Sequence, residues 1–98
     1  MAVKTYPFDG SEFLEDAQSQ AELIADALAT GNASYVAHAL GVVARARGMT
    51  QVAKDAGLSR ESLYKALSAD GNPELATILQ VAKALNVTLS ASADKAAA

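Results

Sequence analysis

The feature that most constrains this chain is a glycine set between two short helical patterns. Gly57 suits a tight turn, because a positive φ is strained for other residues. Apolar residues flank it at spacings that bring them inward: Val52 and Ala56 before it, then Leu58, Leu63 and Ala66 or Leu67 after it. Ala53 supplies a small residue where two crossing helices touch. Thr50 can cap a helix from Gln51 to Asp55 or Ala56, and Ser59 can cap one from Arg60 to about Leu67. Residues 49–67 therefore read as a helix-turn-helix.

The flanks read as helix too. Asp9 or Ser11 can cap a short helix running to about Ala17, after a start that Pro7 keeps extended. Ser19-Gln20-Ala21-Glu22 reads as a capping box, opening a helix whose apolar face is Leu23, Ile24, Ala27 and Leu28. Gly31-Asn32 stops that helix and caps the next, in which Val36, Ala39, Leu40, Val43 and Ala44 recur at helical spacing until Gly48. Gly41 inside it points to close approach by a neighbour. Asn72 and Pro73 suit the start of a last helix, burying Leu75, Ile78, Leu79, Ala82 and Leu85 and stopping at Asn86. Val87-Thr88-Leu89 has the character of a short strand. The expected fold is all-α, with five to six short helices and a possible short C-terminal strand. Residues 1–18 form an N-terminal extension and short helix, 19–89 the helix-turn-helix domain, and 90–98 a frayed tail.

Composition narrows the class. Apolar residues make up 51% of the 98, enough for one modest core. With three tyrosines, two phenylalanines and no tryptophan, that core rests on Ala, Leu, Val and Ile. The absence of cysteine excludes disulfides and thiolate metal sites and fits a reducing compartment. No run approaches the roughly 18 apolar residues of a membrane span, and the first nine residues lack a signal-peptide core. A soluble, cytoplasmic protein without membrane contact is expected.

The net charge is −3, but its distribution is uneven. Residues 1–41 hold six acids against Lys4, whereas residues 42–65 hold five cations against Asp55 and Glu61. An acidic first third beside a basic middle suggests two different partners. With Leu63 and Leu67 inward, the second motif helix turns Arg60, Glu61, Tyr64 and Lys65 outward. Ser59 and Arg60 lie at the end that a recognition helix presents to base edges. Arginine can bond two acceptors of guanine at once. Tyr64 and Lys65, one turn on, suit phosphates. Thr50 and Gln51 open the preceding helix, where free N–H groups attract phosphate, and Arg45, Arg47 and Lys54 add to the field. One short reading helix covers few base pairs, so a homodimer on two-fold operator DNA is expected. The last helix and residues 87–89 are the candidates for its contact. In the acidic third, Glu12, Phe13, Glu15, Asp16 and Glu22 are candidates for a basic partner. The plainer reading is that this segment closes the core with its acids in water.

Other residues that resemble chemistry lack companions. His38 is the only histidine, and a metal site needs several converging ligands. Asp9, Glu12, Glu15 and Asp16 form no nucleophile–base set, and Ser59 and Ser62 have no histidine near them in sequence. No metal, cofactor or catalytic residue is expected.

Taken together, Ala39-Leu40-Gly41, the run Ala44 to Met49, the run Gly57 to Ser68, and Gly71-Asn72-Pro73 resemble the addiction-module antidote family. These are small HigA-like antitoxins with a lambda-repressor-like DNA-binding domain. The resemblance spans about Asp9 to Leu89 and is most distinctive from Gly57 to Pro73. It departs at Asn86, where glycine is expected after Ala-Leu, although asparagine also tolerates a left-handed cap. The resemblance implies a type II toxin–antitoxin module. Its antitoxin would neutralise a RelE/HigB-type ribonuclease toxin and repress its own operon. The other readings are a stand-alone or phage-type transcriptional regulator, and a helical protein-interaction module that never touches DNA.

Overall fold

Small polar residues and glycines set most of the helix ends, as their backbone preferences require. In a computed structural model of the chain, which describes residues 16–68 and 70–94, five helices follow one another: α1 (Ala17–Thr30), α2 (Ala33–Arg47), α3 (Met49–Ala56), α4 (Arg60–Ala66) and α5 (Leu75–Ala84). The described residues contain no strand, so residues 87–89 do not pair as expected. Val87 and Leu89 instead lie half-buried against the core. The short helix expected before Ala17 lies outside the described residues, as do residues 95–98.

α1 starts earlier than the capping-box pattern suggests. Asp16 is its cap and accepts from the Gln18 N–H at 3.3 Å. Ser19 sits inside the helix and donates its hydroxyl to the Asp16 carboxylate. Glu22 accepts from the Gln18 side chain rather than closing a box. Gly31 ends α1 in the left-handed region, and Asn32 caps α2 by accepting from the Tyr35 N–H at 3.0 Å. Gly48, at φ 106°, ends α2 and starts α3 by itself. Thr50 is therefore the second residue of α3, not its cap.

α3 ends in a Schellman motif. The Gly57 N–H donates to the Lys54 carbonyl and the Leu58 N–H to the Ala53 carbonyl, with Gly57 at φ 75°. α5 ends the same way, with Asn86 at φ 59° in glycine's place. There the Asn86 N–H reaches the Lys83 carbonyl and the Val87 N–H reaches Ala82. The start of α5 differs from expectation. Asn72 and Pro73 stay outside the helix, whose cap position is Glu74. Gly71 is pressed against the end of α4, where a Cβ on it would lie 2.5 Å from the Ala66 carbonyl oxygen. This contact holds the connecting loop down before α5 can begin.

α1 packs on α2, α2 on α3, and α3 on both α4 and α5. The buried cluster draws Ile24 and Ala27 from α1. α2 adds Val36, Ala39, Leu40, Val43 and Ala44, all as expected, and the motif adds Met49, Val52, Ala53, Ala56, Leu63 and Leu67. Val81 and Leu85 complete it. Gly41 allows the expected close approach, since a Cβ there would lie 3.0 Å from the Leu67 carbonyl oxygen. Two expectations fail on α5: Leu75 and Leu79 are exposed, and Val81 takes the inner position. Leu28 of α1 is exposed as well.

Candidate nucleic-acid interface

α3 and α4 meet across the Gly57 turn, and their inner residues leave a common outer surface. Leu63 is fully buried and Leu67 nearly so, which fixes the rotation of α4 about its axis. Ser59 caps this helix, accepting from the Ser62 N–H at 3.0 Å and donating to the Ser62 hydroxyl at 2.8 Å. Arg60, Glu61, Tyr64 and Lys65 consequently stand in solvent, as the spacing predicts.

Arg60 is held in place on that surface. One guanidinium nitrogen donates to the Thr50 hydroxyl and the other to the Tyr64 hydroxyl, each at 3.3 Å. Its Cζ lies 5.4 Å from the centre of the Tyr64 ring, within cation–π range. These are long, solvated contacts, so they orient the guanidinium rather than bind it tightly. Thr50 lies in the first turn of α3 and Arg60 in the first turn of α4, so the contact ties the two starts together. The guanidinium's remaining N–H groups have no such partner among the described residues.

The other candidate cations divide. Lys54 and Lys65 are exposed on α3 and α4. Gln51 is exposed too, but its amide donates to Asp55 at 2.9 Å. Arg45 folds back along α2, with both terminal nitrogens about 3.5 Å from where a Gly41 Cβ would sit. Arg47 stays exposed but turns its guanidinium back onto the protein. Its Nε donates to Gln20 Oε1 at 2.7 Å, and a terminal nitrogen donates to the Leu85 carbonyl at 2.9 Å. It thus joins α1, α2 and the end of α5, and Gln20 beneath it is 2% exposed. No sequence pattern marks this pair, whose members are 27 residues apart. The contact engages two of the donors that the charge pattern would assign to DNA.

Of the acidic candidates, Asp16 and Glu22 are exposed at the start of α1. Glu12, Phe13 and Glu15 lie outside the described residues. His38 is exposed. No cluster of histidine and acids among the described residues could hold a metal ion. No helix among them is long and apolar enough to cross a membrane.

The geometry defines a class: a small all-helical protein that presents an oriented arginine on a short, exposed helix. Comparison with known proteins makes it narrower. A family model described as "probable addiction module antidote protein" matches residues 4–93, and the chain belongs to that family. It is also similar to an uncharacterized protein of Haemophilus influenzae (strain KW20 / Rd), 48% identical over 80 residues and covering 82% of each chain. No solved structure matches it.

Proposed function

We propose that this protein is the antitoxin of a type II toxin–antitoxin module, neutralises a RelE/HigB-type ribonuclease toxin, and represses its own operon by laying α4 in the major groove of operator DNA. Membership of the antidote family supports the first part. The observation that carries the DNA reading is Arg60, held between Thr50 and Tyr64 on the exposed face of α4. An arginine near the start of such a helix is suited to the paired acceptors of guanine. Lys65, Lys54 and Tyr64 suit the phosphates around it, as do Ser59 and Gln51 through their polar groups. Arg45 acts at longer range, and Arg47 has a structural role.

The test is a mobility shift on DNA upstream of the protein's own gene. Arg60→Ala should weaken binding by about 1–3 kcal/mol and relax base preference, whereas Lys65→Ala should weaken all sequences alike and flatten the salt dependence. Unchanged affinity and specificity in Arg60→Ala would remove α4 from the reading role. For the toxin half, the acids at the start of the chain would meet a basic nuclease surface. Glu12→Lys combined with Glu15→Lys should then abolish growth rescue when co-expressed with a basic protein encoded beside this one. Full rescue would move the toxin contact elsewhere.

A further inference from the structure

α4 carries an acid that its neighbours leave alone. Leu63 and Leu67 face the core, and so fix which side of α4 looks outward. At about 100° per residue, Glu61 lies roughly 200° round the helix from Leu63, on the side turned away from the core, with Lys65 on the same stripe. Arg60 sits on the flank towards α3, where it meets Thr50. Glu61 and Lys65 have the spacing and order that favour an ion pair on a helix. Even so, the Glu61 carboxylate has no hydrogen-bond or ion-pair partner among the described residues. Asp55, the other acid of α3 and α4, accepts from Gln51. Glu61 thus offers an open acceptor on a surface where Arg60, Lys65 and Lys54 are also exposed.

We propose that Glu61 is a second base-reading residue, which accepts a hydrogen bond from the exocyclic amino group of cytosine in the major groove. The proposal rests on the operator reading of α4 and adds to it the base that a carboxylate selects. A carboxylate only accepts, so guanine repels it through O6 and N7, and thymine through O4. Adenine offers an amino group but sets the acceptor N7 beside it. Cytosine alone presents a donor with no acceptor next to it. Consecutive Cα atoms such as those of Arg60 and Glu61 are about 3.8 Å apart, close to the roughly 3.4 Å rise between stacked base pairs. The cytosine therefore lies in the same base pair as the guanine read by Arg60, or in the next one. Where no amino group meets it, the carboxylate stays unpaired among phosphates and base acceptors, and so works against binding. The cations of the surface attract any phosphate backbone, and Glu61 makes that attraction conditional on sequence.

The experiment is a series of mobility shifts with the full chain, in which the DNA upstream of its gene is changed one base pair at a time. Wild type should lose about tenfold in affinity when the cytosine is replaced. Glu61→Gln should move the preference at that position from cytosine to adenine, whose N6 and N7 match an amide. Glu61→Ala should accept every base there and hold unrelated DNA more tightly than wild type does. Both variants should keep the wild-type circular dichroism and melting, since the site is exposed. A residue that served only helix stability or solubility would leave base preference unmoved. Wild-type preferences in both variants would therefore overturn the proposal and leave Arg60 as the reader. So would a change of preference more than one base pair from the guanine whose selection is lost in Arg60→Ala. If wild type binds without any sequence preference, the operator reading and this proposal fall together.

Discussion

α2 and α5 are both rich in apolar residues, yet they use them differently. α2 buries seven residues between Val36 and Ala44, while α5 buries Val81 and Ala82 within its helical span and leaves two leucines in solvent. α2 lies between α1 and α3, whereas α5 has its main contact with α3. Apolar spacing identifies a helix, but the number of neighbours decides how much of its apolar surface becomes core. On a helix at the margin, part of the stripe is free to serve as a surface.

Substitutions can break this contrast, and the largest effect is expected on α2. Leu40→Ala removes a side chain that is 1% exposed and should cost about 2–5 kcal/mol in chemical denaturation. A loss under about 1 kcal/mol would mean that α2 is not the centre of the core. Arg47→Ala is expected next, at about 1–3 kcal/mol, because it takes partners from the buried Gln20 and from the Leu85 carbonyl. Arg45→Ala, two residues earlier and with no such bonds among the described residues, is the control. At the end of α5, Asn86→Ala should cost about 1–2 kcal/mol, since alanine resists the left-handed conformation. Asn86→Gly should retain stability. Leu79→Ala should change monomer stability by less than about 0.5 kcal/mol, as an exposed site away from the core. A loss as large as that of Leu40→Ala would place it in the core and erase the contrast.

Much of this was legible because the decisive signals are local. Gly31, Asn32, Gly57 and Ser59 each act on the backbone within a few residues, and each acts as its chemistry predicts. The inner face of the motif follows from spacing, and Leu67 rather than Ala66 takes the deeper position. The outer face follows by subtraction, which is why Arg60 and Tyr64 could be named but their link to Thr50 could not. The errors arise where local signals compete or where distance matters. Ser19 offers a good cap, but Asp16 caps the helix first. Asn72 and Pro73 suit a helix start, but the contact of Gly71 with the end of α4 holds the chain extended to Glu74. Thr50 loses its capping role because no residue besides Gly48 separates α2 from α3. Arg47 looks like any surface cation in a basic stretch, and only the folded chain brings it over Gln20.

Gly48 has a mechanical consequence. A single residue, at a φ of 106° that favours glycine, forms the whole joint between two helices. The glycine itself leaves the joint free to turn, so the angle between α2 and α3 is set by the core they share, with Val43 and Ala44 in the same buried cluster as Val52 and Ala53. A ligand seated on α1 would therefore have to repack that core in order to re-aim the α4 surface. Its influence on DNA would have to come through obstruction or added contacts rather than through bending.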